Sequence, residues 1–331
     1  MPATPAVIAH ADWGTEANKR WIALAVLDES GVYRVSGPQA VGDPGTLLRR
    51  LFEMAGSAGS VFAGFDFPIV VPARYAELAG IDSFPQVLTE LGTGRWLEFY
   101  RAANTPAEIS LRRPFYPNRY AKKGEQTQAQ LYGALGLESM DGLFRTCDRA
   151  TATRRAACCM FWTLGGNQVG KAAISGWEQL VAPALRDRQL PIALWPFDGE
   201  LESLLEALQV VVAETYPTEF YGHLGIRLVG SKRQQEGRSG AMPALRAWLE
   251  RDDVADRVRL EPTAEGALAS AFGVRADGED QFDAFVGLIG MLNIVLGRRS
   301  PGEPARDSPQ RSVEGWILGQ DAQPASHTLF S

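Results

Sequence analysis

Residues 6–12 of the chain read Ala-Val-Ile-Ala-His-Ala-Asp, a run of small and apolar residues that ends on a carboxylate. Residues 61–66 repeat this pattern as Val-Phe-Ala-Gly-Phe-Asp, and residues 210–214 repeat it as Val-Val-Val-Ala-Glu. Short apolar runs without polar alternation are typical of central strands that are covered on both faces. The sequence therefore predicts three buried strands that each end on an acidic side chain, namely Asp12, Asp66 and Glu214.

The segments around these strands predict a mixed α/β sheet. Trp21 to Leu27 and Tyr33 to Ser36 read as two more strands, so the chain opens as an antiparallel β-meander. A helix is predicted to begin at Asp43, and a long apolar helix is predicted from Asp280 to Leu296. Three antiparallel strands followed by parallel strands, flanked by helices, form a layout similar to the ribonuclease H-like fold.

The length of 331 residues suits one large domain or two modest ones. We predict a ribonuclease H-like domain over residues 1–297, with a largely helical insertion at about 73–190. Pro, Arg and Ser dominate residues 298–312. The segment 298–331 is therefore predicted to be an extended tail that packs back on the body.

Several protein classes are disfavoured by composition. No apolar run approaches the length that crosses a membrane, and the N-terminal residues lack the layout of a signal peptide. The three cysteines, Cys147, Cys158 and Cys159, are too few and too badly spaced for a disulfide framework or a zinc knuckle. We expect a cytoplasmic protein without a membrane partner, and the oligomeric state, including a homodimer, stays open.

The start of the last long helix adds two acids to the strand-end set. Asp280 and Asp283 are three residues apart and share a helix face. The face of Asp283 continues through Gly287 and Gly290, which would let the helix backbone approach the sheet closely. Close approach would bring Asp283 to the strand-end acids, whereas Asp280 has the alternative role of favouring the helix dipole.

Converging carboxylates suit divalent cations better than a packed core. Two metal ions about 4 Å apart can activate a water and stabilise the leaving oxygen in phosphodiester cleavage. Such a mechanism needs no histidine, and none of the three histidines lies in a ligand pattern. The alternative interpretations are turn residues for Asp12 and Asp66, and a salt bridge to an arginine for Glu214.

Basic residues are locally concentrated although the net charge is -6. That net charge argues against a protein that coats nucleic acid non-specifically. Residues 112–123 contain five cations and no acid, and we predict that they position substrate phosphates, unless they form an exposed flexible loop. The predicted substrate-binding residues are Arg112, Arg113, Arg119, Lys171 and Lys232. Lys171 and Lys232 have the alternative of ordinary solvated loops.

Together these motifs resemble a widespread uncharacterised family of predicted nucleases with a ribonuclease H-like fold. The matching segments span roughly residues 6–297 and comprise the strand ending at Asp12, Asp66-Phe67-Pro68, Glu214-Thr215-Tyr216-Pro217, the Lys232 segment with Gly237 and Arg238, and Asp280-Gln281-Phe282-Asp283-Ala284. The resemblance implies a nucleic acid or nucleotide substrate, DNA or RNA, and a hydrolase that uses Mg²⁺ or Mn²⁺. It implies catalytic roles and metal ligation for Asp12, Asp66, Glu214 and Asp283, with Asp280 as a further metal ligand.

Two other functions stay open. Asp12-Trp13-Gly14-Thr15 also resembles the first phosphate loop of the sugar kinase, actin and chaperone ATPase superfamily, whose sheet topology is the same. An ATP-dependent kinase or ATPase is therefore one alternative. A non-catalytic protein that binds a nucleotide or nucleic acid is the other, because a fold does not by itself determine an activity.

Overall fold

The computed structural model describes residues 4–56, 59–118, 126–151, 154–164 and 169–321. These residues divide into two compact units. The first unit contains residues up to 66, residues 189–303 and residues 317–321, and the second contains residues 67–188 and 304–316.

A mixed eight-stranded sheet forms the centre of the first unit. Its strands are β1 (Val7–Asp12), β2 (Trp21–Leu27), β3 (Tyr33–Val35), β4 (Gln39–Ala40), β5 (Val61–Phe65), β6 (Ile192–Leu194), β7 (Val210–Glu214) and β8 (Val258–Leu260). The order across the sheet is β6-β7-β5-β1-β2-β3-β8, and β4 pairs with β2. The strand β2 is antiparallel to both of its neighbours, β1 and β3, whereas β5 is parallel to β1 and β7 is parallel to β5. The predicted α/β class and mixed sheet are confirmed.

Helices flank this sheet and also occur in the second unit. In chain order they are α1 (Pro44–Ala55), α2 (Ala73–Ala79), α3 (Phe84–Leu88), α4 (Gln128–Ala134), α5 (Val169–Gly176), α6 (Ala182–Arg186), α7 (Leu201–Glu206), α8 (Pro217–His223), α9 (Gln235–Ser239), α10 (Met242–Leu249), α11 (Asp252–Ala255), α12 (Pro262–Ala269) and α13 (Gly278–Val295). The helices α2 to α6 belong to the second unit and the others to the first. In the described part of the chain, no helix has both the length and the apolar character needed to span a membrane.

The helix α13 is buried along nearly its whole length and packs on the sheet. A Cβ atom at Gly287 would overlap the imidazole of His10 in β1, and one at Gly290 would overlap the ring of Phe220 in α8. The predicted close approach of the helix backbone to the sheet is therefore confirmed at Gly287, whereas Gly290 approaches α8. It determines where Asp283, one turn before Gly287, meets the sheet.

The second unit differs from the prediction of a largely helical insertion at 73–190. Its α-helices are only five to eight residues long and are joined by 3-10 turns, a π-helical turn and irregular segments. The reason is visible around the buried ring of Trp177, whose centroid lies 5.1 Å from that of Phe84, 6.1 Å from that of Phe99 and 6.0 Å from that of Phe115. The apolar residues of this segment fill a cluster of aromatic rings, so they do not follow a helical period.

The predicted tail, residues 298–331, is divided between the units up to the last described residue. In the first unit Glu303 accepts a hydrogen bond from the indole nitrogen of Trp195 at 3.2 Å. In the second unit the buried carboxylate of Glu314 accepts a hydrogen bond from the hydroxyl of Thr146 at 2.8 Å. The tail therefore contributes side-chain hydrogen bonds to both units.

Candidate functional site

Asp12 and Asp66 lie next to each other at the carboxyl ends of neighbouring parallel strands. The register of β1 and β5 pairs Ala11 with Phe65, and the amide of Asp66 donates to the carbonyl of Ala11 at 3.1 Å. Both aspartates are half-buried. Within the described residues, neither carboxylate has a hydrogen-bond or ion-pair partner. The first two strand-end acids therefore share one sheet edge, and no cation of the described residues pairs with them directly.

The third strand places Thr215, not Glu214, in the row of these aspartates. Glu214 pairs with Phe65, and the amide of Thr215 donates to the Phe65 carbonyl at 2.9 Å. Because side chains alternate between the two faces of a strand, the buried side chain of Glu214 falls on the face opposite to Asp12 and Asp66. The structure thus brings Asp12 and Asp66 together and separates Glu214 from them by one register position.

A buried histidine joins this row to the helix that carries Asp283. His10 lies on the same strand face as Asp12, and its Nε2 is 2.8 Å from the hydroxyl oxygen of Thr215. Its Nδ1 is 3.1 Å from the carbonyl oxygen of Ala284, next to Asp283. Burial lowers the pKa of His10 to about 3, so the ring is neutral. It donates from Nδ1 to the helix carbonyl and accepts at Nε2 from the threonine.

Both carboxylate oxygens of Asp283 have protein partners. The hydroxyl of Tyr221, in α8, donates to Oδ1 at 2.5 Å. The ammonium of Lys232, in the loop before α9, forms an ion pair with Oδ2. The side chain of Asp283 is only 4% exposed, whereas that of Lys232 is 31% exposed. Burial and the charge of Asp283 raise the pKa of Tyr221 well above its ordinary value, which keeps the phenol protonated as a donor.

The aspartates are close enough to perturb one another's ionisation. Burial, and then the charges of Asp283, Asp66 and Asp280, raise the pKa of Asp12 well above its ordinary value. Burial, and then the charge of Asp283, raise the pKa of Asp66 to about 7. Burial, and then the charges of Glu279 and Asp283, raise the pKa of Asp280 to about 6. The site therefore carries an excess of negative charge.

Lys232 offsets part of this excess. Its positive charge lowers the pKa values of Asp12 and Asp66, against the larger effects that raise them. Burial lowers the pKa of Lys232, but the charge and hydrogen bond of Asp283, together with the charges of Glu279 and Asp66, outweigh burial and raise it. The lysine is therefore the charged partner of an acidic cluster formed by Asp12, Asp66, Asp280 and Asp283.

The carboxylates fit a hard cation only in part. No group of three or more His, Cys, Asp or Glu side chains in the described residues is arranged to hold a metal ion. Asp283 is engaged by Tyr221 and Lys232, and Glu214 lies on the opposite strand face. Asp12 and Asp66 fit best, because a divalent ion would stabilise two half-buried carboxylates that have no partner among the described residues.

The predicted phosphate-binding arginines have structural partners in the second unit. Arg113 forms a 2.8 Å ion pair with Glu108. The guanidinium of Arg112 lies 3.8 Å from the centroid of the Trp96 ring. Arg119 lies outside the described residues. The contacts of Arg112 and Arg113 explain their positions by packing and ion pairing within that unit.

The two predicted lysines lie in different settings. Lys171 is half-buried near the start of α5 in the second unit. Lys232 contacts the acidic cluster of the first unit, so the alternative of an ordinary solvated loop does not describe it. Of the five predicted substrate-binding residues, it is the one in contact with a predicted catalytic acid in the described structure.

Three site residues were missing from the sequence prediction, namely His10, Thr215 and Tyr221. His10 carries a usable signal, because it lies two residues before Asp12 in one strand and therefore shares its face. Thr215 could be found only from the β5–β7 register, and Tyr221 only from the position of α8 beside α13.

Comparisons of the chain with protein-family models, with curated proteins and with solved structures gave no match.

Proposed function

We propose that the chain is a metal-dependent, nuclease-like hydrolase that cleaves phosphodiesters with Mg²⁺ or Mn²⁺ held by Asp12 and Asp66. The observation that carries the proposal is the pair of adjacent, unpartnered carboxylates at the carboxyl edge of parallel strands. Ligands of open α/β sheets bind at this edge. A nucleic acid or nucleotide is the proposed substrate.

The strand order supports a ribonuclease H-like assignment for the first unit. Three antiparallel strands come first, and β5 and β7 then add in parallel on the free side of β1. β1 is thereby central, so Asp12 lies in the middle of the carboxyl edge and Asp66 lies beside it. The acid on α13 completes the set from outside the sheet.

A bound divalent ion would polarise a phosphoryl oxygen and lower the pKa of a bound water. Asp12 and Asp66 would supply carboxylate ligands to it. Asp283, fixed by Tyr221 and Lys232, keeps a negative charge beside these ligands and holds the lysine near the phosphate position. His10 has a structural role, because its ring connects Thr215 at the strand ends to the backbone of α13 at Ala284.

The test measures metal binding and cleavage on the same preparations. Labelled DNA and RNA, single-stranded, duplex and branched, are incubated with the protein in EDTA or in Mn²⁺. We expect cleavage in Mn²⁺, with a loss of at least 100-fold in Asp12→Asn and Asp66→Asn, because each removes a proposed ligand. Asp256→Asn is the matched control, since Asp256 is an exposed aspartate of the same unit. Cleavage that survives Asp12→Asn would exclude the proposed site.

One observation favours a second candidate, a non-catalytic protein that binds a nucleotide or nucleic acid. Lys232 already supplies a cation to Asp283, so part of the charge is balanced without a metal. This candidate predicts ligand binding that is unchanged by EDTA, and no cleavage of any substrate. Thermal unfolding of the protein with and without Mn²⁺ separates the two candidates before a substrate is known.

A further inference from the structure

We infer that Lys232 is a resident cation of the acidic cluster and that the site takes one divalent ion, not two. The inference rests on the proposed function and specifies its metal content. Its first support is position: the ammonium of Lys232 is paired with Asp283 and lies 3.6 Å from Glu279. The lysine therefore sits beside the helix acid that a second metal ion would need as a ligand.

The backbone of Lys232 is held in place by a buried arginine. Arg238 is fully buried, and its guanidinium donates to the carbonyl of Lys232 at 2.6 Å and to that of Ala271 at 3.0 Å. A Cβ atom at Gly237 would overlap the carbonyl of Ser231, so α9 packs directly against this loop. Lys232 thus projects from an anchored backbone, unlike a lysine on a freely moving surface loop.

Charge repulsion favours one divalent ion. The ammonium of Lys232 already occupies the side of the cluster next to Asp283 and Glu279. A second divalent ion bound to Asp283 would lie beside this ammonium. Like charges in a partly desolvated site repel strongly, so Lys232 and a second divalent ion exclude each other.

The lysine also has a function in the proposed reaction. A lysine ammonium is a compact point charge that pairs well with phosphate oxygens. Because Lys232 lies at the same edge as Asp12 and Asp66, it can neutralise a phosphate held by the single ion. It would then provide the charge stabilisation that the second ion provides in two-metal sites.

The test counts bound Mn²⁺ per chain by equilibrium dialysis, with electron paramagnetic resonance to measure the unbound ion. We expect one ion in the wild type and a second ion in Lys232→Ala, where Asp283 loses its cation. Lys232→Gln keeps the stem of the side chain and should behave in the same way if Lys232→Ala does not fold. Arg246→Ala is the matched control, because Arg246 is an exposed cation on α10 of the same unit. It should leave the count at one.

The outcomes separate this inference from the proposed function. Two ions in the wild type would overturn the inference and leave the metal-dependent function intact. A count of one with unchanged affinity in both Lys232 variants would also overturn it. No bound ion in the wild type would overturn the proposed function and the inference together. Cleavage by the Lys232 variants provides an independent readout, since loss of the phosphate contact should lower activity even as the metal count rises.

Discussion

Replacing Asp66 by asparagine should stabilise the metal-free protein at neutral pH. Burial, and then the charge of Asp283, raise the pKa of Asp66 from 3.8 to about 7. One pKa unit corresponds to about 1.4 kcal/mol, so the ionised carboxylate destabilises the folded state by at most about 4 kcal/mol. Because Asp66 is partly exposed, and solvent screens such charges, we expect a gain of about 1–2 kcal/mol in the free energy of unfolding.

The sign of the pH dependence follows from linkage. A carboxyl whose pKa is higher in the folded state binds more protons there, so its contribution to stability is present at low pH and is lost as the pH rises towards 7. The advantage of Asp66→Asn over the wild type should therefore be largest near pH 8 and shrink towards pH 4. Thermal unfolding in EDTA measures it, at about 1–2 °C per kcal/mol for a chain of this size.

A divalent metal ion should make the wild type more stable than Asp66→Asn, the reverse of their order in EDTA. A ligand at 100 times its Kd stabilises the folded state by about 2.7 kcal/mol, and Asp66→Asn would lose most of that gain. The variant should melt above the wild type in EDTA and below it in saturating Mn²⁺, while Asp256→Asn should follow the wild type in both. If Asp66→Asn melts below the wild type in EDTA at pH 8, the carboxylate is stabilised by partners, and the reasoning from uncompensated charge is refuted.

Three further predictions concern the residues around the acids. Gly287→Ala should destabilise the protein by about 2–4 kcal/mol in urea unfolding, because the new methyl overlaps His10; an unchanged midpoint would contradict the close approach. Tyr221→Phe should lower the free energy of unfolding by about 1–2 kcal/mol, because Asp283 loses a buried donor; equal stability would show that water replaces the phenol. Arg112→Ala should leave the Mn²⁺ affinity unchanged while lowering stability by about 1 kcal/mol through loss of the stacking contact; a changed affinity measured by titration would give this residue a part in the site.

The strands of the sheet were predictable because their apolar runs are unambiguous. The valine-rich run that became β7 and the run that became β1 each end in the structure at the predicted acid. The boundary of β5 was less accurate, since the predicted strand ended on Asp66 and the observed one ends at Phe65. Local sequence patterns therefore predicted the existence and chain order of these strands well, and the residues at which the strands end less well.

The second unit was predicted poorly for a physical reason. Its apolar residues are largely aromatic and converge on Trp177 from separate turns and short helices. Packing of this kind depends on contacts between residues far apart in sequence, such as Phe84 and Trp177. No periodicity in a window of neighbouring residues contains that information, so helix was assigned where the chain forms short turns.

The proposed metal content shows what a count of acids along a sequence omits. The sequence contains five candidate acids, and five carboxylates suggest two ions, but the count ignores strand faces and cations. A one-residue register relation places Thr215 beside Asp66 and turns Glu214 to the other face. Lys232, 51 residues before Asp283 in the chain, pairs with that helix acid. Two strand acids without a partner among the described residues, the lysine-paired Asp283 and Asp280 then remain, and for this arrangement we propose a single divalent ion.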